Sequence, residues 1–150
     1  MDIQIATEVD IPELCQLLET LFTQEEEFLP DARAQAKGLK AIIRSEHLGD
    51  ILVVRHKGQL VAMINLLYTH STALGEPVVL LEDMVVADDY RGQGVGSLLL
   101  DYAVHFAEDR GCKRVTLLAD ADNNEARHLY HKLGFEPSQM QVYRKILNRD

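Results

Sequence analysis

An α/β fold built on a mixed β-sheet with helices on both faces is what the sequence predicts, from three observations. Short apolar runs rich in β-branched residues recur along the chain and read as strands. Between them lie stretches with apolar residues at helical spacing, giving the order β-α-α-β-β-β-α-β-α-β(β), six to seven strands with about four helices. The strand at 80–86 passes through a glycine-rich turn directly into an apolar-periodic helix.

Taken in order, Ile3-Gln4-Ile5 alternates as a short first strand. Asp10-Ile11-Pro12-Glu13 reads as a helix start, with Asp10 as N-cap and Glu13 reaching back as in a capping box. Apolar residues at 14, 17, 18, 21 and 22 give that helix its inner face. The run Gln24-Glu25-Glu26-Glu27 is either a solvated helix end or the acidic lip of a pocket. Pro30-Asp31 opens a second helix through about Ser45, with Ala36, Leu39, Ile42 and Ile43 as its apolar set. Strands at 51–56 and 60–68 are joined by Lys57-Gly58, a hairpin signal. A polar loop at 70–76 leads to the strand at 78–86. Beyond the glycine-rich turn, Leu98, Leu99, Tyr102, Ala103 and Phe106 form the expected inner face of the third helix, and Gly111 caps it. A strand at 115–119, a polar turn at 120–124, a helix at 125–133 stopped by Gly134, and closing strands with Val142, Tyr143 and Ile146 complete the pattern.

The 150 residues suit one domain, 1–150, and the 47% apolar and 26% charged content is that of an ordinary globular protein. No run of 18 apolar residues is present, and the N-terminus lacks the basic and apolar regions of a secretory signal. The two cysteines, Cys15 and Cys112, and the six histidines show no metal-ligand spacing. A cytoplasmic protein with free thiols and no metal is expected. The net charge of −9 argues against nucleic acid or an anionic membrane as partner. It favours a cationic small molecule, though solubility alone also accounts for it.

Residues 80–102 carry the chemistry. A strand, a glycine-rich turn (Arg91-Gly92-Gln93-Gly94-Val95-Gly96) and a helix start form an anion site, because the first N–H groups of a helix have no internal partner. Glycines at 92, 94 and 96 remove the Cβ atoms that would hold a phosphate away, and Arg91 adds positive charge. The spacing departs from the dinucleotide pattern G-x-G-x-x-G, and Gly96-Ser97-Leu98 lacks the lysine of a P-loop. A tight turn serving only strand–helix packing is the alternative.

Arg91-Gly92-x-Gly94-x-Gly96 ahead of an apolar helix resembles the acetyl-CoA-binding motif of the GNAT acetyltransferase superfamily. Asn123-x-x-Ala126-x-x-Leu129-Tyr130-x-Lys132-Leu133-Gly134-Phe135 is similar to a second signature of that family. The resemblance implies a GNAT-like fold and acetyl-CoA as co-substrate. Backbone groups of Arg91, Gly92, Gln93, Gly94, Val95 and Gly96, with Ser97, would hold the pyrophosphate. Met84, Val85 and Val86 would run beside the pantetheine arm. Asn123 and Ala126 would lie on the cofactor, with a turn-forming role for Asn123 as the other reading.

Tyr130 matches the position where family members place a phenol near the CoA sulfur, so it would protonate the departing thiolate; a core tyrosine is the alternative. Glu82, in a string similar to that of polyamine acetyltransferases, is the candidate base, with Asp83 second; a strand-edge carboxylate is the alternative. Alternation places Glu82, Met84 and Val86 on one face and Asp83 and Val85 on the other. An unperturbed carboxylate is a poor base for an ammonium, so it would act through water or be raised by burial. The expected activity is acetyl transfer to a primary amine, small molecule or peptide, by direct attack in a ternary complex. A homodimer is implied by the resemblance alone. The rival readings are a non-catalytic acyl-CoA-binding or sensor protein and a nucleotide-binding module.

Overall fold

The computed structural model describes residues 1–24, 31–119 and 123–147. They fall into two compact units, Met1–Leu118 and Ala119–Asp150, each described by itself. Glu25, Glu26 and Glu27 of the acidic run, Pro30, and Asp120 of the polar turn lie outside the described residues.

The first unit holds a five-stranded sheet in the order β1 (Asp2–Ile5), β2 (Gly49–His56), β3 (Gln59–Ser71), β4 (Glu76–Val86) and β5 (Val115–Leu117). The first four strands are antiparallel to their neighbours, and β5 runs parallel to β4. The hairpin between β2 and β3 turns on Lys57 (φ 52°) and Gly58 (φ 79°), the left-handed pair that suits strand twist.

Helices α1 (Ile11–Gln24) and α2 (Ala32–Arg44) cover one face of the sheet. Leu14, Leu17, Leu18 and Leu39 pack there against Ile51, Val53, Met63 and Val85. The intervening residues Leu52, Val54, Ala62 and Ile64 point to the opposite face, where α3 (Val95–Asp109) packs. Ile51 to Val54 are at most 1% exposed, so β2 is apolar on both faces, as a strand covered on both sides must be.

Several expectations are corrected. Asp10 belongs to a 3-10 turn, Glu8–Asp10, ahead of α1. Its carboxylate accepts from the Thr7 N–H at 2.9 Å and pairs with Arg55, while Glu13 accepts from the Leu60 N–H at 3.1 Å. These acids tie the start of α1 to β2 and β3 and do not form the predicted cap. In α3 the buried line is Val95, Leu99, Leu100, Ala103 and Ala107. Starting that helix at Val95 sets its i, i+4 series one position away from Leu98 and Tyr102, which are 47% and 43% exposed.

The sheet has five strands among the described residues, against the six to seven predicted. In the second unit α4 (Asn124–Lys132) is the single regular element described, and residues 135–147 carry no strand. Val142 and Tyr143, expected in a closing strand, are 60% and 90% exposed. Strand propensity becomes a strand only against a hydrogen-bonded neighbour, and no strand is described in that unit to supply one.

Candidate acyl-transfer site

The glycine-rich turn has the shape an anion loop requires. Gly92 (φ 75°) and Gly94 (φ 82°) are left-handed, a conformation L side chains rarely adopt. A Cβ at either would meet nothing within 4 Å, so the space above the turn is open to a ligand. Gly94 is the N-cap of α3 and offers no side chain to its first turn. The first helical bond runs from the Leu98 N–H to the Gly94 carbonyl at 3.0 Å. The N–H groups of Val95, Gly96 and Ser97 therefore have no partner within the helix. Arg91 donates through Nε to the Val86 carbonyl at 3.2 Å and pairs with Asp88 at 3.3 Å, so it braces the turn against the end of β4. Gly96 lies close over Val86: a Cβ there would be 3.6 Å from Val86 Cγ2.

Strand β4 opens just before this turn. Its ladder with β5 pairs Val79, Leu80 and Leu81 with Val115, Thr116 and Leu117 and ends there, while β4 continues to Val86. On the other side, β3 pairs Asn65 with Glu82 and Met63 with Val85, so Asp83 and Met84 together oppose Ile64. This is a β-bulge. Asp83 takes a left-handed backbone (φ 54°), uncommon for a residue that is not glycine. The bulge interrupts strict alternation. Val85 joins the α1–α2 core, and Asp83 turns to the same side as Asn65. The expected segment Met84–Val86 thus presents main chain along the opening, with the Val85 side chain buried in the core.

On the α1–α2 face a cavity of about 310 Å³ reaches Asp83. Leu18, Phe22, Leu39 and Ile42 form apolar walls, and Gln35, Asn65 and Asp83 supply polar groups. Asp31, also on the lining, accepts from the N–H groups of Arg33 and Ala34 and caps α2. Asn65 Nδ2 donates to Asp83 Oδ2 at 2.7 Å. Burial, with the neighbouring Glu82 charge, pushes the Asp83 carboxyl up to about 6 against the lowering effect of the Asn65 bond. Glu82 is half-buried beside it and does not line the cavity.

In the second unit the Asn123 side chain accepts from the Ala126 N–H at 3.2 Å and caps α4. The helix ends on Gly134 (φ 91°), with Phe135 N–H bonded to the Tyr130 carbonyl at 2.9 Å and Gly134 N–H to the His131 carbonyl at 3.0 Å. This is a Schellman end, and the Tyr130 and Phe135 rings meet edge-on with centroids 6.3 Å apart. The motif 123–135 is thus a capped helix from end to end. Cys15 and Cys112 are free, and burial raises both thiols above their ordinary value. Among the described residues no three His, Cys, Asp or Glu side chains are grouped to hold a metal ion.

Two residues of the cavity escaped the sequence reading, and both left a signal. Asn65 interrupts the apolar run Val61-Ala62-Met63-Ile64, and Gln35 stands four residues before Leu39 on the inner line of α2. A polar residue at a core position is the informative exception.

The first unit thus carries an open glycine-rich turn at the N-terminus of α3, a strand pair that parts ahead of it, and a cavity holding a raised carboxyl. The sequence model of the Acetyltransferase (GNAT) family matches residues 11–135, and the chain belongs to that family of acyltransferases. It is 30% identical over 119 residues to the uncharacterized N-acetyltransferase YhfO of Bacillus subtilis, covering 77% of this chain and 79% of that one. A thialysine N-epsilon-acetyltransferase of Bos taurus is 37% identical over 67 residues, 45% of this chain and 39% of that protein. The fold is similar to that of a possible acetyltransferase from Clostridium difficile 630, with a TM-score of 0.87 at 21% identity over 99% of this chain and 98% of the other.

Proposed function

We propose that this acetyltransferase moves the acetyl group of acetyl-CoA to a primary amine held in the α1–α2 cavity, by direct attack in a ternary complex. The observation that carries the reading is Asp83. It is a half-buried carboxylate raised to about 6, on a bulge that borders both the cavity and the opened edge of β4.

The residues present fit the donor. The open space over Gly92 and Gly94, with the N–H groups of Val95, Gly96 and Ser97, suits a pyrophosphate. Among the described residues the main chain of Met84, Val85 and Val86 has no strand on its β5 side, which suits a pantetheine arm. Acetyl-CoA supplies an acetyl group already activated as a thioester. The protein's own part is to hold the amine, exclude water and remove its proton. A carboxylate near 6 is a stronger base than one near 4, and so better matched to an ammonium at neutral pH. Glu82 serves in this reading by raising Asp83, which reverses the order of the two acids given by the sequence. The motif around Asn123, Ala126 and Tyr130 supports cofactor contacts for the first two and a proton donor to the departing sulfur for Tyr130. The family match runs through both units, which supports one catalytic domain. Burial that keeps Cys15 and Cys112 protonated disfavours an acyl-cysteine relay, and free thiols suit the cytoplasm.

Incubating the protein with acetyl-CoA and a panel of amines tests this. Free thiol and N-acetyl amine should appear in equal amounts. Tight CoA binding with no thiol release on any amine would favour the binding or sensor reading instead.

A further inference from the structure

The cavity holds two buried amides, each with one polar atom that has no partner among the described residues. Gln35 is 9% exposed and its Nε2 donates to nothing, and Asn65 is 3% exposed and its Oδ1 accepts from nothing. The other end of Asn65 is committed, because its Nδ2 donates to Asp83. An ionised carboxylate only accepts, so this bond fixes which end of the amide faces it. Buried polar groups are ordinarily satisfied, and an orphan needs an explanation. Here a donor and an acceptor line one cavity, and a ligand with the reverse pair would satisfy both.

We propose that the acceptor substrate is an amine that also carries a neutral hydrogen-bond-accepting oxygen, a hydroxyl or an amide carbonyl, on an apolar skeleton. An amine N–H donates to Asn65 Oδ1, which sets the nitrogen beside Asp83. Gln35 Nε2 donates to the oxygen. Leu18, Phe22, Leu39 and Ile42 receive the carbon skeleton. Among the described residues no Lys or Arg lines the cavity, and Asp31 and Asp83 do, so a carboxylate on the substrate is repelled. A second ammonium at Gln35 would face a donor, and the Asp31 carboxylate on the lining is already engaged by the Arg33 and Ala34 N–H groups, which disfavours polyamines. A volume of about 310 Å³ suits an amino alcohol, an amino amide or the end of a peptide. The inference rests on the proposed function and names the substrate class of its acceptor site.

Leucinol and leucinamide, set against 4-methylpentan-2-amine, leucine and putrescine, test it. kcat/KM is measured for each, and dissociation constants are taken by calorimetry on the CoA-bound protein. The first two should exceed 4-methylpentan-2-amine by roughly 10- to 10²-fold, the span set by one hydrogen bond whose buried partner is otherwise unpaired. Gln35→Met, nearly the same shape without the donor, should shrink that ratio to within about threefold while 4-methylpentan-2-amine is still acetylated. Gln35→Asn, which withdraws the donor, should do the same and serves if the Met variant melts early. A wild-type ratio near one, a preference for putrescine or leucine, or a ratio that survives both substitutions would overturn the inference. Acetylation of putrescine alone would sink this inference and leave the proposed function standing. CoA binding with no amine acetylated or bound would sink both.

Discussion

At the scale of single residues, the bulge decides which acid lines the α1–α2 cavity. Period-two alternation placed Asp83 and Val85 on one face, and both do turn to the α1–α2 side. What a sequence cannot show is that Asp83 and Met84 share one partner on β3, or that burial raises Asp83, because both depend on how β3 pairs. Tyr130 stands in a motif the sequence singles out, and its ring meets Phe135 across the glycine that ends α4. Tyr130→Phe keeps that ring contact and removes one hydroxyl. If the hydroxyl protonates the leaving thiolate, kcat should fall roughly 10- to 10³-fold with little change in the KM for acetyl-CoA. The penalty should shrink with an acetyl thioester whose thiol has a lower pKa. An equal penalty for both thioesters would mean that the residue only positions the cofactor.

At the scale of elements, the turn from β4 to α3 was the most legible in its backbone, since its glycines announce the left-handed conformation found there. Strand boundaries beyond it were less legible: β3 runs on to Ser71, and 142–146 forms no strand. Gly94→Ala tests the turn. The left-handed backbone at Gly94 costs a side chain about 1–2 kcal/mol. Gly58 has a similar φ of 79° and equally open surroundings at the β2–β3 turn, so Gly58→Ala is the matched control. Both variants should lose similar melting temperature, and Gly94→Ala alone should weaken CoA binding, by tenfold or more in titration calorimetry. Equal CoA affinity in the two folded variants would remove the pyrophosphate from this turn.

At the scale of the whole molecule, the sheet is pinned by buried polar ties as well as by its apolar layers. Asp50 accepts from the Tyr68 hydroxyl at 2.7 Å and pairs with Arg110 at 3.2 Å, and Arg110 lies over the Phe106 ring. Burial, with Asp50 beside it, raises the Tyr68 phenol well above its ordinary value. Asp83 adds a pH dependence of opposite sense to the usual carboxylate. Its pKa is higher folded than the ordinary carboxyl value of 3.8, so the native state binds its proton more tightly. Its contribution therefore falls as pH rises from about 4 through about 6, by an amount on the order of 2–3 kcal/mol. Asp83→Asn should remove that loss, and the difference in melting temperature between variant and wild type should grow across the same interval. A difference independent of pH would mean that Asp83 is not raised in the folded protein.

The central claim, that Asp83 takes the proton of an amine in the α1–α2 cavity, is tested most directly by kcat/KM against pH for wild type, Asp83→Asn and Glu82→Gln. The wild type should rise with pH through a limb near 6, because the base works only when ionised and kcat/KM reports the free enzyme. Asp83→Asn should lose the limb and fall roughly 10²- to 10⁴-fold at neutral pH, and Glu82→Gln should keep it, shifted to lower pH by loss of the neighbouring charge. A limb near 6 that survives in Asp83→Asn and vanishes in Glu82→Gln would contradict the account and make Glu82 the base.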